Sequence, residues 1–231
     1  MIGKISVLFL SLIGFFLLVS ANLSPAAKTT GTFLDFPFSS VSNDIILSNM
    51  SSEENWVYKY ETSDNISVYK LDNDSIPIIK LSKELDSSYN SIFQTILSIE
   101  KYDSIISNKS FSTKQINKNN NSDTVYVYQK ITNIIPFIKN RQIIFKIFKS
   151  SDNSLSWKLL KSSDNLFEEF SDKSIKTLDN GAGSWEIVDD KLIHYYYVDP
   201  KLNLPGFIIN RAAEKSVINI FKDVLKFSQS N

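Results

Sequence analysis

From Trp56 onward, hydrophobic and polar positions mostly alternate with a period of two, the spacing that puts one face of a strand on a core. Trp56, Tyr58 and Tyr60 alternate with Val57, Lys59 and Glu61. After a turn at Asp64-Asn65, Ile66, Val68 and Lys70 alternate with Ser67, Tyr69 and Leu71. A turn at Asp72 to Ser75 leads to a third run, Ile76 to Leu81, where Pro77 favours a strand start or an edge. Six further runs read as strands: Ser110 to Ile116, Thr124 to Ile131, Arg141 to Lys149, Leu155 to Lys161, Trp185 to Val188 and Leu192 to Val198. Asn117 to Asn121 is expected to form a hairpin tip, and Asn180 to Gly183 a Gly-rich turn.

Helical spacing interrupts this pattern at both ends and once in the middle. Ser42 to Met50 fits a short helix capped by Ser42 or Asn43, with Ile45, Ile46 and Met50 on its apolar face. Asp86 to Ile106 carries Tyr89, Ile92, Phe93, Ile96, Leu97 and Ile99 at the spacing of one or two short helices, and Phe167 to Phe170 fits a further helical turn or a loop. The longest helical pattern closes the chain. Behind Asp199-Pro200 and Leu204-Pro205, the residues Ile209, Ala212, Ala213, Val217, Ile220, Phe221 and Val224 repeat on one side, and Lys215, Asn219, Lys222 and Lys226 on the other. Such a helix of about twenty residues spans roughly 30 Å. Strands that follow one another without alternating helices imply an antiparallel sheet, so the predicted class is α+β, about nine strands with one long C-terminal helix.

Composition narrows the function. Of 231 residues 42% are hydrophobic and 13% aromatic, enough for a packed core; the 25 basic and 25 acidic residues balance, so no strong field draws nucleic acid or an anionic surface. There is no cysteine, which excludes disulfides, thiol catalysis and Cys-based zinc sites, and six glycines leave no phosphate-cradling loop. Met1 to Ala21 has the form of a secretory signal: Lys4, an uncharged apolar run from Ile5 to Val19, and Val19-Ser20-Ala21 before a cleavage point. The run is short for a membrane span, which needs about twenty residues, so a cleaved leader is expected in preference to a retained anchor. Residues 22–41 then read as a lead-in, residues 42–228 as one domain, and the destination as periplasmic or secreted.

Little in the sequence points to catalysis. His194 is the single histidine and has no partner for a metal cluster or a base pair; it reads as a polar anchor or as a hydrogen-bonded strand residue, and the missing partners favour the second. Arg141 could hold an anionic head group, but at a strand start a structural contact is favoured. Lys146, on the strand face opposite Ile143, Phe145 and Ile147, is expected to point outward. Glu168-Glu169 and Asp189-Asp190 fall in loops or turns, where solvated charge is the default.

Three stretches in this order resemble a START domain, the steroidogenic-acute-regulatory-related lipid-transfer family of the helix-grip superfamily. They are Trp56 to Leu71, with its ISVYK hairpin; Ile135-Pro136-Phe137-Ile138-Lys139-Asn140-Arg141-Gln142; and Gly183-Ser184-Trp185-Glu186 with Tyr196-Tyr197-Val198-Asp199-Pro200 and Leu204-Pro205-Gly206-Phe207-Ile208-Ile209-Asn210. Gln142 stands where the family usually has Asp, and the segment from Asp199 to Leu204 lacks the family's glycine. The resemblance implies a helix-grip fold, a curved antiparallel sheet wrapped around the C-terminal helix, with an apolar tunnel for one lipid or other hydrophobic molecule. It implies a non-catalytic, monomeric binding or transfer protein that touches membranes transiently, with no cofactor, no metal and no nucleic acid. The lining implied is Phe145, Ile147, Val127, Trp157, Leu159, Arg141, His194, Tyr196, Ile209, Ala213, Val217 and Ile220. Asn133 to Arg141, Asn180 to Gly183 and Asp199 to Gly206 are the expected gates. The alternative is a helix-grip enzyme, aromatase/cyclase-like or hydrolase-like, acting on a hydrophobic substrate through His194, Tyr195, Tyr196 and Tyr197.

Overall fold

The computed structural model describes residues 42–50, 56–71, 78–86, 90–117, 123–132, 138–161 and 163–229. The leader and lead-in expected at 1–41, the turn at 72–75, most of the Asn-rich tip and the Pro136 stretch lie outside the described residues. In chain order the elements are α1 (Asn43–Met50), β1 (Trp56–Glu61), β2 (Ser67–Leu71), β3 (Ile78–Glu84) and α2 (Asn90–Leu97). A 3-10 turn (Ile99–Lys101) leads to α3 (Tyr102–Ile105), β4 (Phe111–Asn117), β5 (Thr124–Ile131), β6 (Arg141–Ser151) and β7 (Ser154–Leu159). The chain ends with α4 (Asn165–Phe170), β8 (Lys176–Leu178), β9 (Gly181–Val188), β10 (Lys191–Val198) and the long α5 (Gly206–Gln229).

The strands form one sheet in the order β1-β2-β3-β10-β9-β7-β6-β5-β4. Every pair along that path is antiparallel, as the lack of alternating helices requires. The tenth strand, β8, pairs parallel with β6 off the main path. Register shifts between Tyr58 and Tyr60, Gln115 and Asn117, and Lys149 and Ser151 bend the edge and the longest strand, the effect of an extra residue on one side of a ladder. Asp189 and Asp190, both at positive φ (48° and 60°), make the two-residue β9–β10 turn, the geometry that suits the twist of paired strands.

Two sequence expectations change here. Asn180 to Gly183 is no free turn, because Gly181 and Gly183 are ladder residues of β9, held between β7 and β10. An added Cβ at Gly183 would lie 2.1 Å from the Tyr195 carbonyl oxygen and 2.6 Å from Trp157 Cζ2, so glycine serves close strand packing rather than a bend. This segment is therefore not a gate. In α1, Ile46 and Met50 are buried as expected but Ile45 is 51% exposed. Ser42 takes the capping role, its Oγ accepting from the Ile45 N–H (3.3 Å). Asn43 instead ties α1 to the sheet, donating to the carbonyls of Leu159 (2.9 Å) and Asp179 (3.1 Å) and accepting from the Gly181 N–H (3.0 Å).

Helix α5 packs along two stripes. Val217, Phe221, Val224 and Leu225 join Ile92, Ile96 and Ile99 in the main core, and Ser91 Oγ donates to the Ser228 carbonyl across the α2–α5 contact. Polar contacts fasten the same helix at its flanks. Glu214 receives Tyr60 Oη and pairs with Lys70, Lys222 pairs with Asp64, and Asp223 accepts from the Ser107 N–H and Oγ, both at 2.8 Å. Among the described residues no helix is long and apolar enough to cross a membrane.

Candidate functional site

The concave sheet face is assembled by register. Gln129 faces Ile143 across β5–β6, Ile147 faces Trp157 across β6–β7, Trp157 faces Gly183 across β7–β9, and Gly183 faces Tyr196 across β9–β10. Because side chains alternate along a strand, these positions share one side of the sheet. Over them lies the second stripe of α5, Ile209, Ala213, Ser216, Ile220 and Val224, recurring every three or four residues. Between the two surfaces is a cavity of about 330 Å³. Such a volume lies at the lower end of the range for small-molecule sites.

Eight of the twelve residues expected on the wall are there: Phe145, Ile147, Trp157, His194, Tyr196, Ile209, Ala213 and Ile220. Four are not. Val127 has the right strand parity but is fully enclosed in the packed core. Leu159 is drawn to Gly181, where its Cδ1 fills the space a side chain would take. Val217 falls on the α5 stripe that meets α2. Arg141 is buried and turns back on its own segment, its Nη1 donating to the Lys139 carbonyl (2.5 Å) and more distantly to that of Asn140 (3.4 Å). That is the structural contact favoured for a strand start.

Gln142 explains the departure from Asp at its position. Its Nε2 donates to the carbonyls of Asp172 (2.8 Å) and Ile175 (3.2 Å) and to Thr177 Oγ1 (2.8 Å), while Oε1 accepts from the Asp172 N–H (2.9 Å) and Tyr128 Oη (3.3 Å). A carboxylate could accept but not donate, so only the amide serves both halves of this network, which seats β8 beside β6. The segment after Asp199 shows how the missing glycine is replaced. Lys201 takes a positive φ of 48°, its N–H donates to Asp199 Oδ1 (2.7 Å) and its Nζ pairs with Asp179 (2.5 Å). The side-chain turn and the ion pair hold a conformation that favours glycine.

Residues outside the expected set complete the wall. Ile96, Tyr102, Ile106 and Phe111 come from α2, α3 and their surroundings, and Pro200 and Leu202 from the segment leading into α5. Short local runs carried no sign of this, because helical spacing alone does not say what a face covers. Ala212 is exposed yet lines the cavity, so the cavity meets solvent beside the first turns of α5. Leu204 and Phe207, 37% and 64% exposed, stand in the same segment. Asp199 to Gly206, largely irregular backbone, is the expected gate that adjoins the cavity; the described part of Asn133 to Arg141 contributes no wall residue.

The polar groups on the wall are few. His194 stacks on Trp185, ring centres 3.7 Å apart and planes 14° from parallel, and Phe221 lies nearly parallel to the same indole at 5.6 Å. The imidazole is 3% exposed, and burial pushes its pKa down to about 3, against a smaller upward pull from the Ser184 carbonyl. His194 is therefore neutral at physiological pH. Burial also raises the Tyr196 phenol to about 12, so it keeps its proton. Among the described residues that line the cavity there is no Asp, Glu, Lys or Arg. Tyr195 lies on the far face, against Trp56 at 5.5 Å with Lys80 5.6 Å from its ring, and Tyr197 shares its parity. Only His194 and Tyr196 of the four residues assigned to the enzyme alternative reach the cavity. Among the described residues no group of three or more His, Asp or Glu is placed to hold a metal.

The fold, though not these side chains, is found in solved structures. A STAR-related lipid transfer protein from Xanthomonas axonopodis superposes with a TM-score of 0.60 at 11% identity, over 76% of this chain and 99% of that one. Human STARD10 gives 0.59 at 18% identity, over 81% and 80%, and human StAR-related lipid transfer protein 5 gives 0.58 at 11%, over 81% and 92%. The chain has the START helix-grip fold. No protein-family model matches the sequence, and no curated protein matches it. The START likeness thus rests on backbone architecture, and the α+β, sheet-around-helix expectation agrees with it. The ten strands among the described residues accord with the expected nine or so; the one that the sequence pattern did not show is β8, only Lys176–Leu178 and too short to show a period.

Proposed function

We propose that the domain takes up one hydrophobic molecule in the cavity between sheet and α5 and releases it at another membrane or to another protein. The observation that carries this reading is the cavity itself, about 330 Å³ with a mostly apolar wall and, among the described residues, no Asp, Glu, Lys or Arg on it. A ligand gains about 25 cal/mol for each Å² of apolar surface removed from water. Because lipid tails are already dry in a bilayer, the net difference between bilayer and cavity is small, which suits reversible exchange. The two structural relatives named as StAR-related lipid transfer proteins agree with this reading.

The finer parts are proposals of the same kind. Residues 1–21 act as an export signal, 22–41 as a lead-in, and 42–228 as the binding domain, working as a monomer in the periplasm or outside the cell. Asp199 to Gly206 serves as the gate, with exposed Leu204 and Phe207 meeting the membrane during exchange. An enzyme would need several polar groups converging on a substrate; the described wall offers a neutral His194, the phenols of Tyr102 and Tyr196 and the uncharged Gln129 and Ser216 on a mostly apolar surface, which favours binding.

The test is chemical. The purified full chain is extracted with organic solvent and the extract analysed by mass spectrometry, before and after incubation with liposomes. Recovery of about one hydrophobic molecule per chain is expected. Finding none, with none acquired from liposomes, would overturn the reading.

A further inference from the structure

His194 has one ring nitrogen committed and one left over. Nδ1 lies 2.9 Å from the Ser184 carbonyl oxygen. A carbonyl only accepts, so the proton sits on Nδ1. The ring is neutral, as burial dictates, and Nε2 therefore carries a bare lone pair. No described residue donates to it, although the side chain is almost fully buried on the cavity wall. On a residue 3% exposed and set on the cavity wall, this lone pair is open to a donor that enters the cavity.

Tyr196, two residues along β10, presents its phenol on the same wall, its ring 6.2 Å from the imidazole and steeply inclined to it (61°). Its hydroxyl likewise has no hydrogen-bond partner among the described residues. A carboxylate or phosphate could not donate to Nε2 and would be buried without a counter-charge, since no described lining residue is cationic. An ammonium could donate but would be equally unpaired. A hydroxyl is uncharged, and a single oxygen both donates and accepts.

We propose that the cavity selects an uncharged lipid alcohol, whose hydroxyl donates to Nε2 of His194 and accepts from the phenol of Tyr196. This rests on the lipid-binding reading above and specifies the ligand class for it. His194 and Tyr196 set specificity here; the apolar wall supplies the bulk of the affinity. The stack on Trp185 fixes the imidazole plane, and the Ser184 carbonyl fixes its tautomer, so the acceptor is oriented before the ligand arrives.

The experiment compares matched probes on the full chain. Hexadecanol, its methyl ether and palmitate are delivered from phosphatidylcholine vesicles, as are cholesterol and its methyl ether. Binding is read from quenching of tryptophan fluorescence, to which Trp157 and Trp185 on the wall report. On the skeleton that fits, the alcohol is expected to bind at least about tenfold more tightly than its ether, equivalent to about 1.4 kcal/mol. Palmitate should bind more weakly than hexadecanol. His194→Phe, which keeps a stacked ring but removes the acceptor, should bring the alcohol-to-ether ratio close to one; Tyr196→Phe should lower it severalfold. Equal binding of alcohol and ether by the unaltered protein, or a ratio that persists in folded His194→Phe, overturns the proposal while leaving lipid binding intact. Should His194→Phe fail to fold by circular dichroism, the ratio in the unaltered protein and in Tyr196→Phe decides. Failure of all five probes to bind overturns the lipid-binding reading and this inference with it.

Discussion

Trp157 and Tyr196 meet across a strand that separates theirs, with ring centres 5.6 Å apart. The residue between them is Gly183, the register partner of both, so their rings close over the place where it has no side chain. One glycine thereby joins β7, β9 and β10 into a continuous aromatic wall.

Gly183→Ala should be costly. The new methyl would collide with the Tyr195 carbonyl oxygen, which belongs to a paired strand and cannot retreat without breaking the ladder. A loss of about 2–3 kcal/mol is expected, measured as a lower urea midpoint. A change within about 0.5 kcal/mol would mean that β9 is not held as described.

Gln142→Glu tests the amide network. At neutral pH the carboxylate would face the carbonyls of Asp172 and Ile175 with no proton to offer. The expected cost is about 2–4 kcal/mol, relieved in part at low pH where the carboxyl can donate. Urea unfolding at about pH 7 and pH 4.5 measures both effects.

His194 makes stability depend on pH. Its folded pKa of about 3 lies below the ordinary 6.5, so between those values the unfolded chain binds a proton that the native state refuses. Stability therefore falls as pH drops below about 6.5, by about 2 kcal/mol at pH 5. Comparing urea unfolding near pH 7 and pH 5 in the unaltered protein and in His194→Phe isolates this contribution, and the loss should be about 2 kcal/mol smaller in the variant. Equal losses would show that the imidazole is not buried neutral.

Much of the fold was legible because its strands alternate cleanly and its last helix is long. Ile143, Phe145 and Ile147 share a face in the sequence and in the sheet, and all three line the cavity. The sequence is silent where one residue does two jobs or where a partner is distant. Gly181 and Gly183 carry the composition of a turn, but their role depends on Leu159 and Trp157 from another strand. Val127 and Val217 have correct periodicity, yet periodicity marks an inward face without separating packed core from cavity wall. His194 lacked any sequence partner because its contacts are a backbone carbonyl and an indole paired across the ladder.

The central claim is that the space under α5 holds a ligand and is not merely loose packing. Ala213, half-buried on the cavity face of α5, is the place to test it. Native mass spectrometry of the full chain after incubation with liposomes should show a one-to-one complex with a hydrophobic molecule. In Ala213→Phe, the added ring should occupy the cavity, abolish that complex and change stability by less than about 1 kcal/mol. A filled core would instead resist the ring at a cost of about 1–3 kcal/mol. Absence of any complex in the unaltered protein, or an undiminished one in Ala213→Phe, would contradict the account.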